Sequence, residues 1–232
     1  MQPLLEVEGL KKTYPGFQLN GVSFSIYEDC ITGFIGANGA GKTTCIRSIL
    51  RLISHEAGTI KFKGKDISKA EKSFKNSIGV VFDEGFFYDE LTLTQMKNLI
   101  ASSYSHWDNG AYTHYLDAFS LRPDQTISSL SRGMKMKLSM AVALSHNAEL
   151  LILDEATSSI DSRTEKLVQD GMDKLMHGRT TLVIAHRLST IKNSDCIMVL
   201  EQGHIIERGN HQSLIKEKGK YYQLYTGAIE MD

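Results

Sequence analysis

The sequence predicts an α/β fold: a mostly parallel sheet covered by helices, with an antiparallel β subdomain at the N-terminus and an inserted helical subdomain. Three observations predict it. Short apolar runs alternate with helical segments, the pattern of a parallel sheet buried on both faces. One such run, Ile31 to Ile35, leads straight into a glycine-rich loop and then a helix. Leu4, Leu5 and Val7, then Val22, Phe24 and Ile26, alternate with polar residues, as antiparallel strands with one wet face do.

Each element follows from its local pattern. The helix after the loop carries Ile46, Ile49, Leu50 and Ile53, and residues 59–62 and 78–82 read as strands. Between Leu93 and Phe119 the pattern turns helical, with Met96, Leu99 and Ile100, then Tyr112, Tyr115, Leu116 and Phe119; the inserted lobe is expected over about residues 86–145 of a single domain, 1–232. Leu130, Met134, Leu138 and Val142 recur every four residues and share one helix face. Leu150 to Leu153 is a buried strand ending at Asp154 and Glu155. Leu167 to Met176 is the next helix, weakened at Gly171 by roughly 1 kcal/mol relative to alanine. Thr181 to Ala185 is a further buried strand, ending at His186, and residues 196–200 and 204–207 form a hairpin around Gln202 and Gly203.

Bulk properties narrow the function. A net charge of -1 carries no basic excess, so no nucleic-acid partner is expected. Three scattered cysteines, Cys30, Cys45 and Cys196, argue against a disulfide framework and fit a reducing cytosol. No apolar run approaches the roughly 18 residues that a membrane span needs, and no secretory signal is expected. Any work at a membrane therefore goes through a partner.

The chemistry begins at residues 36–43, Gly-Ala-Asn-Gly-Ala-Gly-Lys-Thr, which fit the phosphate-loop pattern in full. Glycines let backbone N–H groups curl around phosphate oxygens, and the following helix turns its positive end toward them. Lys42 reaches the β- and γ-phosphates of a bound nucleotide, and the Thr43 hydroxyl is a ligand for Mg²⁺. Asp154 and Glu155 close a buried strand, where ligands of parallel sheets collect. Asp154 is the candidate Mg²⁺ holder and Glu155 the candidate general base for an attacking water. His186 also ends a buried strand, in the position of a γ-phosphate sensor. Ser131 opens a helix as a plausible N-cap, with Gly133 close behind, and this second helix N-terminus suggests a second contact to ATP. Taken alone, a Ser–Arg–Gly helix start is usually just a cap.

Together these motifs resemble the ABC ATPases, a P-loop NTPase family, over roughly Leu4 to Tyr225. Residues 36–43 look like Walker A and 150–155 like Walker B. Residues 130–134, Leu-Ser-Arg-Gly-Met, are similar to the LSGGQ signature, Ser159-Ile160-Asp161 to the D-loop, and His186 to the switch histidine. The resemblance implies nucleotide contacts at Gly36, Asn38, Gly39, Ala40, Gly41, Lys42, Thr43, Thr44 and Asp161, and adenine stacking at Tyr14. It implies catalytic roles for Lys42, Glu155 and His186. It further implies two cassettes packed head to tail, with Ser131 and Gly133 acting on the partner's ATP. Hydrolysis would then drive export through membrane-spanning subunits, with the cassette cytoplasmic and peripheral on the inner membrane face.

Two residues depart from the family pattern. Asp83, a further candidate catalytic residue, stands where Gln is usual; its carboxylate can ligate Mg²⁺ yet adds negative charge near a γ-phosphate. Met134 removes an amide from the signature. The two parts also resemble different branches: stand-alone exporter ATPases up to about Asn147, and fused multidrug or lipid exporter cassettes from about Ile152. This mosaic predicts a chimeric junction at about residues 145–154. The alternatives are a cassette that binds ATP with little hydrolysis, and a non-transport ABC ATPase.

Overall fold

The computed structural model describes residues 2–82, 87–154, 176 and 178–228. In chain order these form β1 (Leu5–Tyr14), β2 (Phe17–Ile26), β3 (Ile31–Ile35), α1 (Lys42–Ile49), β4 (Ala57–Phe62), β5 (Lys65–Asp66) and α2 (Glu71–Asn76). Then follow β6 (Ile78–Phe82), α3 (Leu93–Ala101), α4 (Asn109–Ala118), α5 (Arg132–Leu144) and β7 (Leu150–Asp154). The last elements are β8 (Thr180–Ile184), α6 (Leu188–Ile191), β9 (Cys196–Glu201), β10 (His204–Gly209), α7 (His211–Glu217) and α8 (Lys220–Thr226). The chain divides into two compact units, Met1–Phe74 with Gly178–Asp232, and Lys75–His177.

The first unit holds a sheet of order β2-β1-β4-β5 and a run of strands β10-β9-β3-β8. β1 and β2 are antiparallel, with the buried pairs Leu5↔Ile26, Val7↔Phe24 and Leu10↔Val22. The alternation expected from the sequence is therefore present, and it skips a residue between Val7 and Leu10 because the register shifts there. β3 runs parallel to β8 and β9, and its Phe34 packs edge-on against Phe24 at 4.9 Å. The β9–β10 hairpin turns at Gln202 and Gly203, both at positive φ, as a two-residue turn requires. α1 buries Cys45, Ile46 and Ile49 but stops earlier than its apolar spacing predicts. Arg51 is left-handed at φ 56°, Leu52 N–H donates to Arg47 O, and Ile53 falls beyond the helix.

The second unit pairs β6 with β7 in parallel, from Ile78↔Leu150 to Phe82↔Asp154. Its helices share a core of Leu93, Met96, Tyr112, Leu116 and Leu138, with Met134 and Val142 packed against it; Leu130 joins this core from extended chain just before α5, not from the helix the sequence predicts. The stripe at four-residue spacing thus faces one core. Leu99 does not; it is 49% exposed. Thr92 and Gln95 close a capping box on α3, and Asp108 caps α4. Of the expected helix 167–176, all but Met176 lies outside the described residues.

His146 follows α5 and is 2% exposed. Its Nε2 lies 2.8 Å from Ile78 O, its Nδ1 lies 3.1 Å from Val142 O, and its ring stacks on Tyr104 at 3.9 Å. Burial holds its pKa below the usual histidine value, against the pull of the two carbonyls. The unfolded chain then binds the extra proton more readily, so this stability is complete above about pH 6.5 and is lost as pH falls below it. Relative to His146→Gln, the wild-type thermal midpoint is expected to drop more steeply between pH 7.5 and 5.5. Parallel curves for the two proteins would contradict this.

Candidate functional site

β3 delivers the chain into the glycine-rich loop at a place that only glycine fits. Gly36 sits at φ 155°, and a Cβ there would lie 2.1 Å from Leu200 O. Gly39 and Gly41 also have positive φ, while Asn38 and Gly39 are exposed. Ala40 is buried; its N–H donates to Ala37 O and its carbonyl accepts from Gly203 N–H at 3.0 Å. The hairpin turn therefore braces the loop, and Asn20 N–H in turn donates to Gly203 O.

Lys42 is 5% exposed, and its ammonium donates to Gly36 O at 2.6 Å and Ala37 O at 3.1 Å. The loop is thus wound around the lysine head that the sequence assigned to phosphate. α1 begins at this lysine with no side-chain cap and no acid in its first turn. Its leading N–H groups and positive end remain suited to an anionic ligand. Thr43 is exposed and Thr44 half-buried on that first turn. Cys45, just behind, is fully buried, and burial pushes its thiol up to about 12.

His186 belongs to the same unit. β8 pairs Ile184 with Phe34, and Ala185 N–H donates to Phe34 O, so His186 leaves its strand beside the chain entering the loop. Its side chain is half-buried. A cleft of about 710 Å³ opens along residues 36–40, with Phe17 and Gln18 on one side and Glu201, His204 and Lys220 on another. Tyr14 is not part of that lining; it stands at the end of β1, 39% exposed, with Lys12 Nζ 5.4 Å from its ring centroid.

In the second unit Asp154 ends β7 opposite Phe82, half-buried. Ser131 is the N-cap of α5, its Oγ accepting from Met134 N–H at 3.3 Å; it is exposed, and Gly133 is buried. Asp83, Glu155 and Asp161 lie outside the described residues. Sequence reasoning missed the lining by Glu201, His204 and Lys220, because these side chains reach the loop only through the folding of the C-terminal hairpin and helix.

Comparison with known proteins agrees with this fold. A family model described as "ABC transporter" matches residues 19–158. The "Multidrug resistance protein 1" of Entamoeba histolytica is 38% identical, over 89% of this chain and 17% of its own length. An "ATP-dependent lipid A-core flippase" of Pseudomonas fluorescens is 35% identical, over 97% of this chain and 40% of its own. The chain thus spans less than half the length of these relatives, and each of them matches residues on both sides of 145–154. A solved "ATP binding subunit of ABC transporter" superposes with a TM-score of 0.83 at 25% identity, covering 97% of this chain and 98% of that one. A "bacterial Atm1-family ABC exporter with ATP bound" gives 0.82 at 28% identity, covering 99% and 43%.

Proposed function

This chain belongs to the ABC transporter family, and from that premise we propose that it is an ATP-hydrolysing cassette driving export through membrane-spanning partners. The observation that carries the proposal is the glycine-rich loop wound around Lys42, between a buried strand and an uncapped helix N-terminus. Two relatives, named a lipid A-core flippase and a multidrug resistance protein, support export as the work done. No helix among the described residues is long and apolar enough to cross a membrane; in this reading the translocation path belongs to the membrane-spanning partners.

In this reading the loop N–H groups and the start of α1 hold the triphosphate, and Lys42 leaves the loop carbonyls to bind its outer phosphates. The chemistry of two candidate donors suits Mg²⁺, since the Thr43 hydroxyl and the Asp154 carboxylate are hard oxygen ligands that would hold it. When bound it would offset charge building on the phosphate oxygens. Asp83 would be a further oxygen ligand of the same kind. Glu155 takes the proton of the attacking water, and His186 holds the γ-phosphate in place. Tyr14 stacks on adenine once ATP is bound. Ser131 and Gly133 present the N-terminus of α5 to a second cassette's ATP, and Asp161 contacts nucleotide across the same dimer. The assembled cassette lies against the inner face of the membrane.

Steady-state ATPase rate measured against protein concentration tests this. The rate per molecule is expected to rise with concentration, and Glu155→Gln to lower it at least 100-fold with ATP binding retained. Bound ATP without turnover at any concentration would reduce the protein to a nucleotide binder.

A further inference from the structure

Resting on the reading of the cleft as the nucleotide site, we propose that Lys220 is an additional anion-binding residue for the nucleoside triphosphate, supplied by the C-terminal helix α8. Lys220 lines the same cleft as residues 36–40 of the phosphate loop. Its place is set by a chain of contacts. Glu207 on β10 accepts from the backbone N–H of Lys220 and, at 2.9 Å, from that of Tyr221, standing in for the side-chain cap that α8 lacks. The hairpin carrying Glu207 is tied to the loop through Gly203 N–H and Ala40 O. Tyr221, the next residue, is fully buried, and its hydroxyl lies 2.8 Å from His211 Nδ1. The first turn of α8 is therefore held in place relative to the phosphate loop.

The lysine head lies 2.6 Å from Glu201 Oε1, and Glu201 lines the cleft as well. The side chains keep 32% and 41% of their surface in water. The pair is therefore loosely held and can re-form around a polyanion. A triphosphate in the cleft attracts the ammonium and repels the carboxylate, so the two residues act on it with opposite sign. An ion pair that merely fastens α8 to the hairpin would behave differently, because removing either member would loosen the helix in the same way.

That contrast defines the experiment: ATP affinity of the full chain by isothermal titration, with adenosine as the uncharged comparison. Lys220→Met is expected to raise the Kd for ATP about fivefold, and Glu201→Gln to lower it about threefold. Lys220→Arg should stay near wild type. Adenosine affinity should be unchanged throughout, and both ATP effects should shrink at about 0.5 M salt, where charges are screened within a few ångströms. Parallel weakening by Lys220→Met and Glu201→Gln, with lowered thermal midpoints, would overturn the proposal in favour of a structural ion pair. ATP affinities within twofold of wild type in both variants would overturn it outright. A folded wild-type chain that binds no ATP would instead sink the nucleotide reading on which it rests.

Discussion

Lys42→Ala is expected to lower ATP turnover at least 100-fold and to weaken ATP binding sharply, with little change in thermal midpoint. The ammonium is the buried positive charge around which residues 36 and 37 wind, 2.6 and 3.1 Å from their carbonyl oxygens. In the proposed mechanism it shifts from those carbonyls to the outer phosphates as charge builds there. Deleting one preorganised donor of this kind typically costs 10²–10³ in rate. The fold has less at stake, because the β3 pairing and the core residues of α1 do not depend on this side chain. Lys42→Arg is not expected to rescue, since a planar guanidinium does not reproduce a compact ammonium inside a tight loop. Turnover within tenfold of wild type in Lys42→Ala would remove this residue from the chemistry.

Gly203→Ala is expected to destabilise the protein by about 3 kcal/mol or more and to weaken ATP binding at the same time. Gly203 stands at φ 77°, and a Cβ there would lie 1.9 Å from Gln18 O, a backbone atom that cannot move without shifting β2. The same residue donates to Ala40 O and accepts from Asn20 N–H, so a displaced turn withdraws a brace from the phosphate loop. Denaturant unfolding measures the first effect and ATP titration the second. Gln202→Asn is the comparison. It keeps a positive-φ residue one position earlier in the turn, where Asn is at ease, and should stay within about 0.5 kcal/mol of wild type. If both variants behaved alike, the close approach of Gly203 to Gln18 would not be the cause.

The residues of the proposed chemistry were legible to different degrees. The phosphate loop could be read because its glycine spacing and the run before it are local, and the φ values of Gly36, Gly39 and Gly41 bear out the need for glycine there. Ser131 was legible as an N-cap for the same reason, and its bond to Met134 N–H is present. Ile53 and Leu99 show where periodicity failed. The first is cut off by a left-handed Arg51, and the second points outward from a helix whose core face is taken by Leu93 and Met96. Tyr14 was assigned only through resemblance, and its ring stands outside the lining of the cleft.

By itself, then, the amino-acid order determined the alternation of buried strands and helices, the glycine-rich loop, and the helix caps, all of which arise from interactions within a few residues. Only the tertiary structure decided that the β9–β10 turn braces Ala40, that α8 brings Lys220 to the cleft along residues 36–40, and that a buried His146 reaches Ile78. The physical reason is the same in each case. These contacts join segments distant in sequence, and they exist only once burial of apolar surface has brought strands and helices together, which no local pattern of residues records.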